Sequence, residues 1–167
     1  MLKGLLLSVV LAACACMGRV FSNGKRRRAD ILGEMLAGMR VLRLRMLNSL
    51  EPLEILLRKS DARIFRNLGN SLWEGSSLVE CWEKLRSSEV RRGKLLDCLQ
   101  AEDLFLLDEF FAGLGISGRD EQNELFSRMI ARMEEAHSAA RKSFRDANKT
   151  YTALGALAGA AICIAIM

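Results

Sequence analysis

The side chains able to do chemistry are few and scattered. His137 is the single histidine of the 167 residues, preceded by Glu134 and Glu135. A catalytic or metal-bound imidazole needs partners that its surroundings do not provide, so a solvated or half-buried histidine is expected. The five cysteines stand at 14, 16, 81, 98 and 163 with no C-x-x-C pair, which gives little support to a zinc site or a disulfide frame. Asp108 and Glu109 sit on an otherwise apolar stretch; such a pair can take a cation or an arginine such as Arg128, and a structural ion pair is the expectation. Gly113, Gly115 and Gly118 spell G-x-G-x-x-G, but a dinucleotide site needs a strand before that motif, and nothing here supplies one. The plainer reading is a helix stop at Gly113 or Gly115, a tight turn, and Ser117 capping a helix with Asp120 and Glu121 in its first turn. Trp73 and Trp82 read as core or interface anchors. No nucleophile with a base and no phosphate loop can be assembled, so neither an enzyme nor a cofactor is expected.

The elements that would position these residues are helices. Half of the chain is apolar, with one proline and few aromatics among many Leu, Ala, Met, Arg and Glu, a composition that suits helix and leaves little for a sheet. The length allows one compact domain plus membrane segments. A net charge of +5 raises the question of nucleic acid, but the cations form no stripe interleaved with aromatics, and no nucleic-acid partner is expected. They cluster beside the two apolar ends.

At the amino terminus, residues 4–18 carry no charge and lead through Arg19, Val20 and Phe21 to Lys25, Arg26, Arg27 and Arg28. This predicts a short membrane helix over 1–22 with a basic stop, Lys3 and Arg19 snorkelling to the interfaces. Thr150 to Met167 are eighteen uncharged residues, about 27 Å of helix, enough to cross a bilayer with little tilt. Arg141, Lys142, Arg145 and Lys149 precede that second span and nothing basic follows it. Both ends therefore place residues 23–149 in the cytoplasm, with Lys25 to Arg28 and Lys149 at the membrane border. The rival reading takes Leu11-Ala12-Ala13-Cys14 as a lipoprotein cleavage site, which would give a lipid-anchored helical adaptor acting by protein binding on the outer side. Against it, apolar character continues past Cys14, and the basic run would have to be translocated. Within the second span Gly155 and Gly159 form G-x-x-x-G beside Ala156 and Ala160, a small-residue face that lets another helix approach closely.

Between the spans, Ile31, Met35, Met39, Leu42, Met46 and Leu50 step by three and four along one helical stripe. Pro52 opens a short helix with Leu53, Leu56 and Leu57 on its apolar face. A third helix from Asp61 carries Ile64, Phe65, Leu68 and Leu72 and closes at Gly75. Ser77 with Glu80 reads as a capping box for a fourth. Ser87 to Gly93 reads as a polar loop, and a fifth helix from near Gln100 is nearly surrounded by Leu104, Phe105, Leu106, Leu107, Phe110 and Phe111, as befits the centre of a bundle. The last helix, with Phe126, Met129, Met133, Ala136, Ala140, Phe144 and Ala147 in step, runs unbroken into the second span and would transmit position rigidly. Trp82, Phe111 and Phe144 are the expected core anchors.

The order of these features, from Pro52-Leu53 through Trp82-Glu83, Leu114-Gly115-Ile116 and Gln122 to Leu154-Gly155 and Gly159, resembles the stage III sporulation protein AB family over essentially the full length. The block from Phe110 to Met167 is the most specific part. The resemblance implies an all-α, membrane-anchored antiparallel bundle of about six helices, similar to the F domain of type II secretion platforms, with a membrane helix at each end. It implies a mother-cell membrane protein of the channel complex linking mother cell and forespore. A cytoplasmic secretion-type ATPase and other membrane components of that channel are its implied partners, and self-association into a homo-oligomer stays open. Arg43, Arg45 and Gly118 stand where family members usually carry acids, so no binding role is carried over to them.

Overall fold

The computed structural model describes the backbone of residues 2–72 and 77–166, with side chains over 23–72, 77–150 and at 153. Those residues form six helices and no strand: α1 Leu2–Asn48, α2 Leu53–Arg58, α3 Arg63–Leu72, α4 Leu78–Glu89, α5 Ala101–Gly113 and α6 Arg119–Ile166. The chain divides into two units, Asp30–Ser138 and the paired segments Met1–Ala29 with Ala139–Met167.

In the unit Asp30–Ser138, α1 buries Ile31, Leu32, Met35, Leu36, Met39 and Leu42. Leu50 is fully exposed at 104%, so the stripe predicted to reach it stops earlier. The reason is local: α1 ends at Asn48, where the Asn48 amide donates back to Leu44 O at 2.8 Å and Ser49 N–H to Arg45 O at 2.8 Å. Pro52 lies one position before α2 as its cap (φ −55°, ψ 145°) rather than inside the first turn, and its carbonyl accepts Ile55 N–H at 3.0 Å.

The start of α3 is held from another helix. Glu34 of α1 accepts the Arg63 backbone N–H at 2.5 Å and the Arg63 guanidinium at 2.9 Å, occupying a donor that the helix itself leaves unmet. Ser77 Oγ accepts Glu80 N–H at 3.3 Å at the start of α4. That helix continues through Ser87 and Ser88 to Glu89, so the loop expected from Ser87 to Gly93 begins only at Val90. Both hydroxyls bond back to carbonyls one turn earlier, Lys84 O at 2.9 Å and Leu85 O at 2.8 Å, a habit that keeps serine inside a helix.

Asp103 accepts Gln100 N–H at 2.9 Å at the head of α5. Leu106, Leu107, Phe110 and Phe111 are buried, but Phe105 is 64% exposed. This helix therefore has a wet side and is not apolar all round. In the unit formed by the chain's two ends, Ala29, Ala140 and Ala147 are buried.

Among the described residues no helix is long and apolar enough to cross a membrane. The expected spans, 1–22 and 150–167, fall almost wholly on side chains outside the described set, as do Gly155, Ala156, Gly159 and Ala160.

Candidate functional site

In the unit Asp30–Ser138, aromatic and charged side chains gather where α4 meets α5. Trp82 and Phe111 are both buried, with ring centroids 4.5 Å apart. Phe65 meets Phe111 edge-on at 5.5 Å, and Phe110 bridges to Phe126 at 5.5 Å. Phe144 belongs to the other unit and is half-buried.

At the edge of this aromatic cluster the Trp82 indole N–H donates to Asp108 Oδ1 at 2.7 Å, while Arg86 reaches Asp108 Oδ2 at 2.8 Å. Glu109 is bonded by Arg132, with Arg128 at 4.0 Å. Arg132 is thus the nearer partner, which spacing on α6 alone did not single out from Arg128. Each carboxylate of the pair faces a guanidinium, an arrangement that fastens α4 and α6 to α5. Among the described residues no group of His, Cys, Asp and Glu is placed to hold a metal ion. His137 is half-buried with its ring against Gly33; Cys81 is buried and Cys98 half-buried.

The glycine-rich turn after α5 is organised by a residue that spacing did not single out for this work. Gln122 is 4% exposed and makes three bonds: its Nε2 donates to Gly113 O at 2.8 Å and to Ser117 Oγ at 2.8 Å, and its Oε1 accepts Gly115 N–H at 3.1 Å. Ser117 does not cap α6 as expected. Gly118, one position before α6, opens the helix bonding instead, its carbonyl accepting Gln122 N–H at 2.9 Å. Gly115 has φ +79°, a left-handed turn that closes without a side chain. The signal available in sequence was a glutamine one turn into a helix beyond a glycine-rich stop.

Two electrostatic features mark the outer surface of the same unit. Burial pushes the Glu34 carboxyl up, but the side-chain and backbone bonds from Arg63, with Arg63 and Arg66 as nearby cations, outweigh it and hold Glu34 below its usual value of 4.5. Arg43 donates to Asn123 Oδ1 at 2.8 Å and Arg45 to Lys59 O at 3.2 Å, so both cations meet neutral acceptors. Beside them, Leu44 is 63% exposed, and Ile116 stands out from the α5–α6 turn. Lys25, Arg26, Arg27 and Lys149 are exposed and Arg28 half-buried.

No curated protein matches the chain. A solved structure titled "Stage III sporulation protein AB (SpoIIIAB)" shares the fold at 17% identity, with a TM-score of 0.59 over 71% of this chain and 97% of that one. The family model for stage III sporulation protein AB matches residues 3–167, and with a match of that extent the chain belongs to this family of structural sporulation proteins.

Proposed function

We propose that this chain is a non-enzymatic, membrane-anchored platform subunit of the sporulation channel between mother cell and forespore. Its unit Asp30–Ser138 docks a cytoplasmic secretion-type ATPase on the mother-cell side. The observation that carries the reading is the family match across residues 3–167. It is supported by outward-facing apolar side chains, Leu44 and Leu50 among them, which leave surface for a protein partner. Segments 1–22 and 150–167 anchor it, and Gly155 with Gly159, beside Ala156 and Ala160, packs the second segment against other channel components.

Co-purification of the full chain from detergent-solubilised membranes with the ATPase of the same complex tests the docking. Retention at micromolar concentration is expected, and its absence overturns that part. Replacing Gly155 and Gly159 together by Ile tests the packing, for which unchanged assembly in the membrane is the contrary result.

A further inference from the structure

The unit formed by the chain's two ends holds an open cleft of about 720 Å³, within the range of small-molecule sites. Lys25 of α1 stands on one side, and Lys142, Ser143, Asp146, Ala147 and Thr150 of α6 on the other. Among the described residues neither lysine meets a carboxylate. The Thr150 hydroxyl donates to Asp146 O at 2.9 Å, which leaves its oxygen as an acceptor, and the Asp146 carboxylate is the only acid among the described lining residues. Two ammonium groups and one carboxylate sum to one positive charge, the complement of a single phosphodiester. An acid among cations is useful when the ligand also carries a hydrogen-bond donor. Thr150 is also the first residue of the uncharged segment that ends the chain, so in a membrane-anchored subunit the cleft sits at headgroup depth.

We infer that this cleft binds the headgroup of an anionic phospholipid of the phosphatidylglycerol type. Lys25 and Lys142 hold the phosphate, and Asp146 accepts a glycerol hydroxyl. The inference rests on the membrane anchoring in the proposed function. It accounts for a cleft whose two lysines meet no carboxylate among the described residues, because ammonium groups beside a phosphate-rich surface are each stabilised by it.

The control is built into the helix. Arg141 and Arg145 carry the same charge on the same stretch of α6 but do not line the cleft, since at 3.6 residues per turn they fall on the opposite side. Full-length protein is reconstituted in nanodiscs of phosphatidylcholine doped with phosphatidylglycerol, and lipid retention is read by native mass spectrometry. The Lys25→Gln/Lys142→Gln pair is expected to weaken phosphatidylglycerol retention about tenfold or more, and Arg141→Gln/Arg145→Gln much less. An equal loss in both pairs means diffuse surface attraction and overturns the cleft. Equal retention of phosphatidylethanolamine overturns the headgroup assignment, and displacement by inorganic phosphate alone shows a free-anion site instead. Alkaline carbonate extraction separates the two levels: protein stripped from membranes overturns the anchoring and the inference with it, whereas protein retained without lipid preference overturns the cleft only. Circular dichroism of each variant establishes that folding is unchanged.

Discussion

The Trp82 indole N–H donates to Asp108 Oδ1 at 2.7 Å while the Trp82 ring packs at 4.5 Å on Phe111. One residue thereby ties the aromatic core to the rim of ion pairs between α4 and α5. A neutral donor to a carboxylate is worth about 2 kcal/mol when the carboxylate is left without it. Trp82→Phe should therefore destabilise the chain by about that much, read by far-UV circular dichroism in a denaturant titration. Asp108→Asn keeps an acceptor for the indole and loses only the Arg86 ion pair, whose partners are 41% and 30% exposed; it should cost less than about 1 kcal/mol. A reversed order of the two variants would show that the ion pair, not the indole bond, fastens this edge.

Gln122 satisfies Gly113 O, Gly115 N–H and Ser117 Oγ from a buried position. Gln122→Ala strands these groups, and a cost of about 2 kcal/mol or more is expected. The local readout is hydrogen exchange at the Gly115 amide, which should speed up well beyond what global destabilisation produces. Exchange at Gly115 that merely follows the rest of the chain would show that the turn closes without the glutamine.

What could be read along the chain was what repeats locally. Steps of three and four placed Ile31, Met35, Met39 and Leu42 in the core, because a helix brings such positions to one face whatever surrounds it. The pattern failed at Leu50, which follows its predecessors in spacing but lies past the end of α1 at Asn48. It failed again at Phe105, since apolar content around α5 does not say which flank another helix covers. Ser87 and Ser88 misled because their bonds to carbonyls one turn back suit a helix end as well as a loop. The Glu34 cap on α3 joins residues 34 and 63, and Lys25 and Lys142 share a cleft from opposite ends of the sequence. No periodicity encodes such pairings. The family was legible from the order and spacing of features along the chain, and its model matches residues 3–167.

Glu34 supplies a pH dependence with a definite sign. Burial raises its pKa, but the bonds and charges of Arg63, with the charge of Arg66, lower it further, so the folded value lies below 4.5. The folded state then binds fewer protons at this site than the unfolded chain does. Its stabilising effect is fully present above about pH 4.5 and is lost as pH falls through the lowered folded value. Thermal melts of wild type and Glu34→Gln across the acid range should differ most at neutral pH and converge on acidification. A gap that widens as pH falls would mean that the carboxyl is destabilised in the fold.

Gly69 marks a close backbone approach between α2 and α3. A Cβ there would lie 2.4 Å from Arg58 N and 2.9 Å from Leu57 C, and backbone atoms cannot rotate aside as a side chain does. Gly69→Ala must push the two short helices apart, at a cost of about 3 kcal/mol by the measure of overpacked cores. Gly24, inside α1, is the contrast: nothing lies within 4 Å of its added Cβ. Gly24→Ala replaces the weaker helix former and should leave the melting temperature unchanged or raise it, by up to about 1 kcal/mol of stability. Melts of the two variants in the same detergent separate steric exclusion from helix propensity. Should Gly69→Ala melt with the wild type, α2 and α3 are not packed backbone to backbone, and the Glu34 cap that orients α3 would have to hold it in another position.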